Sequence, residues 1–189
     1  METLYRIFKT AAMCLLATGT WCAAQDSTGQ MPPMGPPEEM KEIAFLEGTW
    51  DVAMKAMPDP AKPDVWVDMP GTAEYTLAPG GAVMLVKYTG SFGGMEYYGY
   101  GMQTYDREKK EWQMTWADNY AGRTVMYTGQ RKNGQTVMSG EEVMAGQTYP
   151  SRIRTFNETP TSFEWQMEQS LDGGKTWITF AKATYTKRQ

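Results

Sequence analysis

The chain has 189 residues, 18 basic and 22 acidic, a formal net charge of −4 and no histidine. The negative balance argues against a nucleic-acid partner and against an anionic membrane surface, since both would repel it. Without histidine there is no Ser-His-Asp or Cys-His mechanism and no histidine-ligated haem.

Residues 1–24 read as a secretion signal. Arg6 and Lys9 supply a positive start, residues 11–16 a short apolar run, and Cys22-Ala23-Ala24 the small residues of a cleavage site. The run falls short of the ~20 residues a transmembrane helix needs, and Gly19 and Thr20 interrupt it. The expectation is an exported protein, periplasmic or extracellular, with no transmembrane segment. A lipoprotein signal wants a small residue before the lipidated cysteine. Trp21 precedes Cys22 and Met13 precedes Cys14, so lipid anchoring at Cys22 is the weaker alternative. Cleavage after Ala24 removes both cysteines, leaving no disulfide, thiolate site or cysteine nucleophile. It also takes Arg6, Lys9 and Glu2, which brings the net charge to −5.

Residues 25–37 (QDSTGQMPPMGPP) are rich in Pro, Gly and small polar side chains and predict a disordered stalk, because they bury too little apolar area to offset chain entropy. Residues 38–47 (EEMKEIAFLE) have helical spacing: Met40, Ile43, Ala44 and Leu46 share one side, acids fill the first turn, and Gly48 stops the run. The rest, to residue 189, reads as one all-β domain. Short segments rich in Tyr, Trp, Thr and Val are separated by turn residues. Strands are expected at 50–57, 71–77, 83–92, 95–105, 111–118, 123–131, 136–144, 148–158, 162–170 and 176–187. Lys132-Asn133-Gly134 is a strong hairpin signal. Trp112, Met114, Trp116 and Asp118 alternate with polar neighbours, as do Phe163, Trp165 and Met167. About ten antiparallel strands in an up-and-down meander, preceded by one short helix, favour a closed barrel, which leaves no edge strand.

Gly48-Thr49-Trp50 stands after the helix and opens the first strand, while Lys187 and Arg188 close the last. This resembles the lipocalin and calycin signature. The resemblance implies that Trp50 plugs the closed end and that Arg188 packs on its ring, a cation–π contact of about 0.5–2 kcal/mol. The alternative is an ordinary core tryptophan, structural as well. A longer set of features runs from Leu46-Glu47-Gly48-Thr49-Trp50 through Gly99-Tyr100-Gly101 and Tyr105-Asp106 to Thr115-Trp116-Ala117-Asp118-Asn119. It resembles the bacterial domain of unknown function 1579 over residues 40–188. That resemblance implies a lipocalin-like barrel, usually exported, with no established activity.

Ser170-Leu171-Asp172-Gly173-Gly174-Lys175-Thr176-Trp177 matches the Asp-box hairpin of sialidase-type propellers. One copy makes no propeller. Asp172 is expected to accept backbone N–H groups across the turn and Trp177 to pack beneath it, both structural roles. Asp118, in phase with Trp116, should point inward at a barrel rim and needs a partner; Arg123, Arg152 and Arg154 are candidates by charge. It is either a ligand contact or a rim salt bridge or turn cap. Tyr97, Tyr98, Tyr100 and Tyr105 either line a cavity or make cross-strand pairs. The 16 methionines are scattered at strand spacing and read as core filler more than as a Cu(I) site. Glu141 and Glu142, adjacent on one strand, face opposite ways and make no glycosidase pair.

No catalytic constellation emerges, and no metal or cofactor is expected. The leading expectation is a barrel that binds a small apolar molecule through Asp118, Trp116, Arg123, Tyr98 and Tyr100. The alternatives are a filled barrel serving as a structural or interaction module of the envelope, and, less favoured, an enzyme built on carboxylates, tyrosines and arginines. The sequence is silent on ligand identity and oligomeric state.

Overall fold

The computed structural model describes residues 34–144 and 146–189; the expected signal, both cysteines and residues 25–33 of the expected stalk lie outside the described residues. The compact unit spans Gly35–Gln189. Residues 35–37 are part of it: the Gly35 carbonyl accepts a bond from Arg107 Nη2 at 2.7 Å, and Pro37 is buried.

The helix, Glu38–Leu46, is a 3₁₀ helix. Met40 N–H donates to Pro37 O at 3.1 Å and Glu47 N–H to Ala44 O at 3.2 Å. Three residues per turn align Met40, Ile43 and Leu46, which are buried. The same pitch turns Ala44, expected on that face, out to solvent.

The strands are β1 (Gly48–Ala56), β2 (Val67–Asp68), β3 (Gly71–Leu77), β4 (Met84–Phe92), β5 (Met95–Asp106) and β6 (Glu111–Asp118), then β7 (Thr124–Lys132), β8 (Gln135–Met144), β9 (Gln147–Phe156), β10 (Ser162–Gln169) and β11 (Ile178–Lys187). Each pairs antiparallel with its neighbour, and β1 pairs with β11 from Trp50↔Lys187 to Ala56↔Ala181, which closes the sheet. The two-residue β2 adds no wall of its own. It pairs with Lys55 and Ala56 on the edge of β1 that β3 uses at Gly48–Val52. Pro70, with no N–H to give, breaks what is otherwise one long strand. The result is a closed barrel of ten antiparallel strands with one short helix on its N-terminal side, as the sequence predicts.

Turn chemistry sets where the strands end. Asn133 and Gly134 have φ of 53° and 70°, the pair of left-handed residues that matches a two-residue turn to strand twist. Asp106 Oδ1 accepts the N–H groups of Glu108 and Lys109 at 2.9 and 3.0 Å, tying the turn between β5 and β6.

The helix and a layer of aromatic rings fill one end of the barrel. Trp50 is 0% exposed. Its indole N–H donates to Leu46 O at 2.7 Å, and its ring meets Phe163 edge-on at 5.0 Å. Phe163 stacks on Tyr185 at 4.3 Å. The cation over Trp50 is Lys187, with Nζ 5.4 Å from the ring centroid, and not Arg188 as the family resemblance implies. Register explains the exchange. Lys187 pairs directly with Trp50 and shares its inward side, and its Nζ donates to Phe45 O at 2.8 Å. Arg188, one residue on, points outward to Asp51 (2.6 Å) and Thr72 (3.0 Å).

Trp50→Ala is expected to lower stability by about 3–5 kcal/mol, because it empties the centre of this layer. Urea denaturation should show the drop with an unchanged m-value, while Arg188→Ala, on an exposed pair, shifts the midpoint far less.

Candidate functional site: the barrel interior

Side chains just fill a barrel of about eight strands. Ten strands enclose more volume, and above the aromatic layer they leave a cavity of ≈ 240 Å³. Its apolar wall includes Met54, Met114, Met138, Met167, Val86 and Ala181, and its aromatic wall Tyr75, Tyr88, Tyr97, Trp116, Tyr127 and Trp165. Ile43 and Leu46 of the helix line it too.

Trp116 is positioned by an absence of side chains. It lies against Gly99 and Gly101 of β5, where a Cβ on Gly99 would sit 2.1 Å from Trp116 Cζ2 and one on Gly101 2.9 Å from Cε3. The two glycines occupy the inward phase of β5 and give it to the indole. Tyr97 shares that phase and lines the cavity. Tyr98 and Tyr100, expected as ligand contacts, lie in the opposite phase and face outward, 38% and 57% exposed. The expectation placed the tyrosines in the site without fixing the phase of β5.

Asp118 lines the cavity where β6 ends. Its Oδ2 accepts Tyr97 O–H at 2.9 Å and Trp116 Nε1–H at 3.0 Å. Its Oδ1 accepts the backbone N–H groups of Tyr120 (3.0 Å) and Ala121 (2.6 Å). Four donors occupy the four lone-pair positions of a carboxylate. Asp118 therefore ties the turn after β6 and orients two rings of the wall. The arginines expected as its partners go elsewhere. Arg123 binds Glu142 at 2.7 Å and Val143 O at 2.8 Å, and Arg152 binds Glu168 at 2.5 Å. Arg154 lies 4.0 Å from the same carboxylate.

Sequence reasoning did not place Glu142 in the site. Its Oε1 accepts Tyr127 O–H at 2.6 Å, its Oε2 accepts Arg123, and it lines the cavity. It carries half as many bonds as Asp118 and keeps acceptor positions free. Nor was the polar group beside the helix expected. There Arg131 binds Glu158 (Nη1 to Oε1, 2.8 Å) and Thr136 (3.0 Å), with Glu42 at 3.4 Å. Both members of the Arg131–Glu158 pair are nearly fully buried, and Thr155 also donates to Glu158 at 2.8 Å. Period-two counting from Tyr127 through Gly129 to Arg131 was the available signal.

The tyrosines of the wall are held neutral. Loss of solvent raises Tyr75, Tyr97, Tyr127 and Tyr185 above the ordinary tyrosine range and brings Tyr88 up to about 12. Tyr88 donates to Met69 O at 2.9 Å, and Tyr75 and Tyr185 share a hydrogen bond.

The last hairpin stands apart from the cavity. Asp172 accepts Ser170 Oγ–H (2.8 Å), Thr176 Oγ–H (2.7 Å) and the N–H groups of Lys175 (3.0 Å) and Thr176 (2.9 Å). These bonds, those of Thr176 first, lower its carboxyl to about 2 from 3.8. The stability they lend is present above pH 3.8 and is lost as pH falls through about 2. Trp177 carries the Arg152 guanidinium over its ring at 4.1 Å. Among the described residues no group of three or more acids or cysteines is placed to hold a metal. No helix among them is long and apolar enough to cross a membrane.

The family model for proteins of unknown function DUF1579 matches residues 35–187, from the start of the compact unit to the lysine over Trp50. The chain belongs to the DUF1579 family. No curated protein matches it in sequence. Among solved structures, the DUF1579 barrel is similar to the S-type phycobiliprotein lyase from Guillardia theta, with a TM-score of 0.52 and 13% identity over 82% of this chain and 99% of that one. Weaker likenesses link it to EF1p2_mFAP2b bound to DFHBI (TM-score 0.45, 14% identity, 79% and 98% covered) and to a redesigned β-barrel (0.40, 15%, 78% and 96%). The lyase likeness establishes a lipocalin-type barrel fold for this family member.

Gly99→Ala should cost about 1–3 kcal/mol, since its methyl group must displace the indole from its bonds to Asp118 and Tyr97. Tryptophan fluorescence should move with it. Full stability with an unchanged spectrum would mean that the Trp116 placement described here is wrong.

Proposed function

We propose that this chain is an exported binding protein that holds one small molecule inside the barrel. The observation that carries this reading is the cavity itself. Leaving ≈ 240 Å³ unfilled forgoes on the order of 5 kcal/mol of packing, against a typical total stability of about 5–15 kcal/mol. A mostly apolar wall gives water few partners. The volume lies just below the ~300–1,000 Å³ of typical ligand pockets, which suits a molecule of one or two rings. Aromatic and methionine side chains provide an adaptable apolar lining.

Binding fits the polar groups better than catalysis does. The cavity tyrosines are neutral, Asp118 has all its acceptor positions occupied, and Arg131 is bound to Glu158. Among the described cavity residues Glu142 keeps acceptor positions free, but the hydroxyl beside it, that of Tyr127, is held neutral. Export rests on the residues of the N-terminal signal.

A second reading, an interaction module of the envelope, draws on the outer face. Leu85 pairs with Met102, Met102 with Thr115 and Thr115 with Met126, and the three apolar members are exposed next to Tyr100. Such a stripe is a candidate docking surface. It leaves the hollow interior without a purpose, so the binding reading ranks first.

Native mass spectrometry of protein purified from its host tests the proposal. The expected result is an added mass lost on denaturation, and its absence from Ala181→Phe, which fills the cavity. A bare protein that also fails to take up 1-naphthalenemethanol would count against it.

A further inference from the structure

The charge balance of the cavity wall narrows the class of ligand. Three carboxylates line it, those of Asp118, Glu142 and Glu158, against one guanidinium, that of Arg131. Arg123 offsets Glu142, and the wall still keeps a negative excess. The donors beside the carboxylates are already used: Tyr97 O–H and Trp116 N–H on Asp118, and Tyr127 O–H on Glu142. Acceptors are in surplus. Glu142, which accepts one bond from Tyr127 and one from Arg123, has free lone-pair positions. A fatty acid or other organic anion would need a free cation in the wall. The arginine that lines it is held by a buried carboxylate.

The aromatic lining adds attraction of the same sign. Tyr97, Trp116 and Tyr127 are linked to the two carboxylates at this end of the cavity, and Tyr88 meets Tyr97 edge-on at 5.7 Å. Ring faces beside carboxylates attract a desolvated cation and repel an anion. Resting on the binding reading above, we infer that the barrel selects an organic cation, an ammonium group on an aromatic or aliphatic body, with Glu142 as its counter-ion. Glu142 determines specificity here because it accepts two hydrogen bonds, against three on Glu158 and four on Asp118. Asp118 acts on the ligand only through the rings it orients.

The test uses three probes of one shape: 1-naphthylmethylammonium, 1-naphthalenemethanol and 1-naphthoate, titrated calorimetrically into the full chain. The expected order is cation, then neutral, then anion, with at least about tenfold between the ends, because desolvated charge contacts dominate such discrimination. Glu142→Gln should shrink that ratio to about threefold or less while the neutral probe binds as before. Arg123→Gln works in the opposite direction: with Glu142 no longer offset, the cation should bind more tightly than to the unaltered chain. This second variant keeps the inference testable if Glu142→Gln fails to fold. Equal affinities for the three probes, or a preference for the anion, would overturn cation selection and leave the binding reading intact. Failure of all three probes to bind would overturn both.

Discussion

Closure of the sheet by β1 against β11 is the constraint on which the rest depends. It fixes which side of each strand faces inward, because one closed ladder admits one phase per strand. Trp50 and Lys187 meet inside for that reason, and Asp51 and Arg188 meet outside. Closure at ten strands also sets the interior volume. The helix and the rings around Trp50 fill one end, and what they do not fill is the cavity.

A closed interior must satisfy its polar groups within itself. Two clusters do this, and they differ. Beside the helix, Arg131, Glu158, Thr136 and Thr155 form a knot that orders packing, with three bonds on Glu158. At the other end, Asp118 is saturated by neutral donors, whereas Glu142 is bound by one phenol and one guanidinium. The first cluster reads as architecture. The second leaves charge and acceptor capacity facing an unfilled space.

The barrel was legible in the sequence because its signals are local. Asn133-Gly134 and the Asp106 turn announce their hairpins, and the alternation of Trp112, Met114 and Trp116 announces an inner face. The single strand read at 71–77 differs only because Pro70 hides the continuation into β2. The site was less legible because it depends on phase and on long-range partners. Tyr97 and Tyr98 are adjacent and chemically identical, and only the seating of Trp116 on Gly99 shows which one faces in. Lys187 and Arg188 pose the same ambiguity, resolved by the register with Trp50. The pairing of Arg123 with Glu142 joins β8 to the residue just before β7, and no local pattern announces it.

The central claim is that ligand occupies the inside of the barrel and not its outer apolar stripe. Nuclear Overhauser contacts from bound 1-naphthylmethylammonium to isotope-labelled methionine methyl groups test it directly. The account predicts contacts to Met54, Met114, Met138 and Met167, which line the cavity. Contacts confined to the exposed Met102 and Met126 would contradict it.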